Sequence, residues 1–133
     1  MEGNVATLAV GEPMLDIVAA DRQTSPLVLA SPHSGTHYPA DLLAASRLDP
    51  LSLRRSEDSY VDEIFGAAPG LGTPLLKAHF ARAYLDPNRE PFELDPAMFE
   101  DALPDFVNRH SPRVRVGLGT IARVVASGEE IYA

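Results

Sequence analysis

The residues best suited to chemistry in this chain begin with His33, in the run Ser31-Pro32-His33-Ser34-Gly35. Imidazole is both a general acid-base near neutral pH and the commonest metal ligand, although a histidine in a turn is often only a satisfied polar group. The sequence contains no cysteine, so thiolate chemistry and disulfides are excluded, and any metal must be held by His, Asp or Glu. A second group lies at Asp86-Pro87-Asn88-Arg89. There a guanidinium fork and an amide fall close together, as a carboxylate clamp would require, or as a plain surface turn would also show. A third is acidic: Glu57, Asp58, Asp62 and Glu63 crowd one short segment. Glu57 and Glu63 read as a solvated face, whereas Asp58 lies beside the apolar residues Tyr60 and Val61.

The elements that must position these groups follow from patterning. Residues 27–30, bracketed by Pro26 and Pro32, have the length of a buried strand, which places His33 at a strand's carboxyl end, where α/β sheets bind ligands. Residues 14–19 predict a short strand. Residues 39–45 predict a helix or turn with Asp41 in its first turn. Asp49-Pro50 supplies an N-cap and a first helical position, and the spacing of Leu53, Tyr60, Val61, Ile64 and Phe65 predicts one helix over 50–65. A breaker-rich loop follows over 66–74, then strands at 75–78 and 81–85 that deliver the Asp86 turn. Residues 96–103 can make a helical turn or two, and 105–115 read as an irregular loop. Residues 114–125 predict strand structure with a bend, and Ser127-Gly128 a hairpin-like turn. Residues 1–13 read as a loose amino-terminal arm on a single domain.

Composition narrows the class. With 133 residues, 45% hydrophobic and 23% charged, the chain is an ordinary globular domain in composition. Its formal net charge of −8 argues against a nucleic-acid partner, because phosphate binding rests on clustered Lys and Arg. No segment approaches a membrane span or a secretory signal, so a cytoplasmic location is expected.

Four motifs in this order extend the reading. Ser-Pro-His-Ser-Gly at 31–35, Ser-Glu-Asp-Ser-Tyr-Val-Asp-Glu-Ile-Phe at 56–65, the stretch A-R-A-Y-L-D-P-N-R-E-P at 81–91 and the tail G-L-G-T-I-A-R-V-V-A-S-G-E-E-I-Y at 117–132 together resemble the N-formylglutamate amidohydrolase family. The resemblance implies a carboxypeptidase-like α/β fold, a mixed sheet flanked by helices. It also implies a zinc-dependent amide hydrolase that converts N-formyl-L-glutamate to formate and L-glutamate in histidine catabolism. His33 matches the family's metal-ligating histidine. Asp58 matches the position of the second ligand, although the residues alone leave Asp62 open. Asn88 and Arg89 resemble a carboxylate-holding pair, Arg82 a catalytic or substrate-binding arginine, and Ser34 joins the substrate contacts. The expected partner is a small anionic N-acyl amino acid.

Two features depart from the family pattern. A further metal-ligating histidine and a glutamate general base do not appear in family-like motifs, and Pro87 replaces a more usual aliphatic residue. His37, His79 and His110 are weaker candidates for the missing ligand. The expectation is therefore an amino-terminal part of such an enzyme, with weakened zinc affinity and an exposed sheet edge that favours pairing with a second copy. The other reading kept open is a non-catalytic binding domain that retains Arg82, Asn88 and Arg89.

Overall fold

The computed structural model describes residues 14–133, so the expected arm at 1–13 lies outside the described residues. Three short strands form a mixed sheet: β1 (Leu15–Val18), β2 (Leu29–Ser31) and β3 (Leu75–Ala78), in the order β1-β3-β2. Strand β3 runs antiparallel to β1 and parallel to β2. The α/β class and the mixed sheet thus follow expectation, and the strand that delivers His33 lies at an edge of the sheet. Strand β2 begins only at Leu29, which donates to Pro74 O at 2.9 Å, and Leu27 and Val28 are exposed. An outer strand has a ladder partner on one side only, so its entering residues lack a neighbour to cover them.

Helix α1 (Ala40–Ala45) forms where expected. The predicted long helix does not. Helix α2 (Pro50–Leu53) starts on the Asp49 cap, whose carboxylate accepts from Leu51 N and Ser52 N. It tightens into a 3₁₀ turn at Arg54–Ser56 and stops, because Glu57 is extended with φ −73° and ψ 142°. Helix α3 (Val61–Ile64) resumes only after Tyr60, a non-glycine residue at φ 65°. The break has a long-range cause: the Asp58 N–H goes to His33 O at 3.0 Å instead of to a helical carbonyl. Of the expected apolar face, Leu53 is fully buried while Tyr60, Ile64 and Phe65 are exposed.

Residues 81–85 are likewise a turn and not a strand. Ala81 N donates to His37 O at 2.8 Å, extending the pairing just past β3, and Tyr84 N then donates back to Ala81 O at 2.9 Å. Helix α4 (Pro112–Arg115), capped by Ser111, takes the end of the expected loop at 105–115 and the first residues of the expected strand region at 114–125, and the rest of that region makes isolated bridges, Leu118 with Ala122 and Val124 with Glu130. The turn at Ser127-Gly128 is present, with Gly128 at φ 84° and its N–H on Val125 O.

The core lies beside this scaffold. Tyr38, Leu42, Leu53, Ala81, Ala83, Ala122, Val125 and Ile131 form one buried cluster, with Leu48 and Tyr132 packed against it. Removing a side chain such as Ile131 from water is worth about 1.5–3 kcal/mol. The cluster ties the 122–131 segment to the turn before Asp86. No helix among the described residues is long and apolar enough to cross a membrane.

Candidate active site

The structure brings three segments together around His33. The turn after β2 presents the imidazole, which is 6% exposed. On one side, Nδ1 lies 3.2 Å from Asp58 Oδ2; on the other, Nε2 lies 2.8 Å from Asp86 Oδ1. The two carboxylates differ in setting, since the Asp58 side chain is 53% exposed and that of Asp86 only 4%.

Ser34 fixes the first of these contacts. Its hydroxyl donates to Asp58 O at 2.8 Å and accepts from Asp62 N at 3.4 Å, while Ser31 Oγ lies 2.6 Å away and completes the chain as donor. With Asp58 N on His33 O, the serine turn grips the broken helix from both sides. The Ser34 hydroxyl is therefore committed to positioning Asp58. Gly35 allows the turn to approach the sheet, because a Cβ there would fall 2.2 Å from Phe80 O.

Asp86, which sequence reasoning treated only as turn chemistry, is the hub of the second side. Its Oδ1 also accepts from Asn88 N at 2.9 Å, and its Oδ2 faces Arg82 Nε at 3.1 Å and Arg89 Nη2 at 3.2 Å. Burial by itself would raise the Asp86 pKa. Hydrogen bonds from His33 and Asn88, with the charge of Arg82, outweigh it and bring the value down to about 2. The available signal was spacing: arginines four residues before and three after Asp86 reach one oxygen when the chain turns helically between them.

Arg89 is not a free-standing fork. Its Nε donates to Leu118 O at 2.9 Å and its Nη1 to Asn88 O at 2.8 Å, besides the contact with Asp86. Arg82 borders a cavity of about 80 Å³ with Ser56, Asp86, Leu118, Gly119 and Ala122. Asn88 is exposed. Thus Arg82 and Arg89 meet at Asp86 and reach His33 through it.

The geometry carries a chemical requirement. A neutral imidazole has one N–H, and the shorter contact to the buried, ionised Asp86 takes it at Nε2. The Nδ1 lone pair then faces the Asp58 carboxylate, and two electron-rich atoms at that distance need a cation between or beside them. A second ring proton meets that need, and so does a metal ion with nitrogen and oxygen donors. A buried carboxylate on the far nitrogen is also the usual way a metal-binding imidazole is oriented. His33 Nδ1 and Asp58 Oδ2 would supply one nitrogen and one oxygen donor of the kinds zinc takes, and no group of three candidate ligands occurs among the described residues.

The other histidines lie elsewhere. His37 is buried in a bridge with Phe80, His79 pairs with Asp16 at 3.1 Å, and His110 is in an exposed loop. Glu57, expected in solvent, has a side chain only 1% exposed. It accepts from Tyr38 Oη at 2.6 Å and from Arg54 Nε at 3.1 Å.

Comparison with known proteins identifies the family. The sequence profile of the family described as N-formylglutamate amidohydrolase matches residues 25–133. The crystal structure of N-formylglutamate amidohydrolase from Ralstonia eutropha JMP134 superposes with a TM-score of 0.78 at 38% identity, covering 89% of this chain and 41% of that one. This chain thus spans less than half the length of that relative. No curated protein matches it.

Proposed function

This chain belongs to the N-formylglutamate amidohydrolase family, and on that premise we propose that it carries part of the site of a zinc-dependent amide hydrolase acting on N-formyl-L-glutamate. The observation that supports the reading is the pair of contacts on one ring: His33 Nδ1 with Asp58 and His33 Nε2 with the buried Asp86. The proposal extends to a carboxypeptidase-like fold, a role in histidine catabolism and a cytoplasmic location.

His33 and Asp58 would hold the metal, with Asp58 favoured over Asp62 because it faces the ring. Zinc would contribute Lewis acidity toward the amide carbonyl and toward water. The chain's own contribution is preorganisation. Asp86 keeps the proton on Nε2 and the Nδ1 lone pair aimed outward, and Ser34 holds the backbone of Asp58 so that its carboxylate stays beside that lone pair. Arg82 and Arg89 set the local charge around Asp86, so a site in a chain of net charge −8 still offers cations to an anionic substrate. Arg89 has two N–H groups beyond those engaged by Leu118, Asn88 and Asp86. With Arg82 and the exposed Asn88, these are the donors assigned to the substrate carboxylates. The outer strand β1, with Leu15 and Ile17 exposed, and the exposed entry to β2 at Val28 are the surface assigned to pairing with a second copy.

The test is formate release from N-formyl-L-glutamate by the zinc-loaded chain. Release that is lost in His33→Ala and on chelation is expected. Binding of L-glutamate without zinc uptake or turnover would overturn the hydrolase reading in favour of a binding module.

A further inference from the structure

The segment Gly117-Leu118-Gly119-Thr120 carries no group suited to catalysis, yet the residues around His33 hang on its backbone. Asp86 N donates to Thr120 O at 2.8 Å, and Arg89 Nε donates to Leu118 O at 2.9 Å. The backbone of Asp86, whose carboxylate meets His33, and the Arg89 side chain are therefore both anchored to carbonyls two residues apart. The segment is in turn fixed to the continuation of the same turn. Thr120 N donates to Glu93 O at 2.8 Å, and the Thr120 hydroxyl donates to Glu90 O. Residues 86–93 are thus stitched to 118–120 at both ends of their loop.

The fit is close. A Cβ on Gly119 would fall 2.4 Å from Glu93 O, so only glycine lets the two backbones meet. Gly117, at φ 79°, turns the chain out of α4 into the strap, and its carbonyl accepts from Arg123 N at 2.8 Å. Thr120 is 7% exposed. Its hydroxyl is the one side-chain group of the strap that bonds to the 86–93 loop, and it does so within hydrogen-bond reach of the turn that bears Asp86 and Arg89.

We propose that Thr120 is a positioning residue: through its hydroxyl on Glu90 O and its carbonyl on Asp86 N, it sets the placement of Asp86 against His33 and of Arg89 beside it. The proposal rests on the metal reading above only for its effect on zinc; the effect on the His33 ring is independent of it. Loss of the hydroxyl bond loosens the loop without removing any charged group. A single hydrogen bond of this kind is worth about threefold to tenfold in an equilibrium that depends on it.

The experiment compares the full chain with Thr120→Val, Thr120→Ala and Thr120→Ser. The readouts are the His33 Nε2–H proton resonance, amide exchange at Ile131 in the core, and affinity for zinc alone by chelator competition. In Thr120→Val and Thr120→Ala, the ring proton should move upfield and exchange faster while Ile131 protection is unchanged, and zinc affinity should fall about threefold to tenfold. Thr120→Ser should restore both. An unmoved ring proton in the Val and Ala variants overturns the proposal, as does a change matched by equal loss of protection at Ile131, which marks general destabilisation. If the wild-type chain takes up no zinc while the ring proton still responds to Thr120→Val, the positioning role stands and the metal reading falls.

Discussion

Asp86 Oδ1 sits 2.8 Å from His33 Nε2, across a sequence separation of 53 residues, and the same carboxylate receives Arg82 and Arg89 on its other oxygen. One buried side chain therefore joins the histidine turn to the arginine turn. Asp86→Asn leaves two guanidinium groups facing a neutral amide. Breaking a buried charged network from one side costs about 3 kcal/mol or more, so urea unfolding should lose about that much. Zinc affinity should fall about tenfold to a hundredfold with loss of the carboxylate that orients the ring. A change below about 1 kcal/mol in stability would show that Asp86 does not hold the two turns together.

Gly35→Ala tests how tightly the His33 turn is seated. The added methyl would meet the carbonyl oxygen of Phe80 at 2.2 Å and the carbonyl of His79 at 2.6 Å, both of them backbone. Neither can swing aside without breaking the His37–Phe80 bridge. Overpacking of this kind costs about 1–3 kcal/mol, and thermal unfolding should drop accordingly. An unchanged midpoint would mean that the turn stands further from the sheet.

Tyr60 holds a left-handed backbone at φ 65°, and the residue is 62% exposed. That conformation costs an L-residue roughly 1–2 kcal/mol, and little packing is lost with the ring. Tyr60→Gly should therefore stabilise the fold by about 1 kcal/mol in denaturant titration, whereas Tyr60→Ala should bring no such gain. Equal behaviour of the two variants would contradict the assignment of strain to the backbone.

Alkaline pH should weaken the fold through Tyr38. Its pKa is raised above the ordinary 10.0, first by burial and then by its hydrogen bond to the Glu57 carboxylate. The unfolded chain releases this proton from about pH 10 upward while the folded chain retains it, so unfolding is increasingly favoured as pH rises. Tyr84, through Asp41, and Tyr132, through burial, are shifted in the same direction. Stability measured from pH 8 to 11 should be flat at first and then decline. Tyr38→Phe should be less stable at neutral pH and show a shallower decline, and an identical slope in both proteins would assign the effect elsewhere.

What the sequence made legible was local. Proline brackets and a glycine located the His33 turn, and Asp49-Pro50 located the start of α2, because those residues restrict their own backbone. The helix predicted over 50–65 failed where a distant acceptor intervened: His33 O takes the Asp58 N–H, and periodicity carries no information about that contact. The same held for 81–85, where buried Ala81 and Ala83 support a tight turn that an apolar run does not distinguish from a strand. Ser34 and Asp58 were singled out by motif, and the structure brings both to His33. Aspartate before proline is ordinary turn chemistry, and the convergence of Arg82 and Arg89 on its carboxylate is what sets Asp86 apart. The burial of Glu57 is equally invisible to local pattern, because its acceptor role depends on Tyr38, 19 residues earlier.

The most direct measurement is a calorimetric zinc titration of the wild-type chain, His33→Ala and Asp58→Ala, each first shown to be folded. The account predicts saturable uptake of a single zinc by the wild type, steeply weakened uptake by Asp58→Ala and none by His33→Ala. Absence of saturable binding in the wild type, or binding that ignores both substitutions, would contradict it.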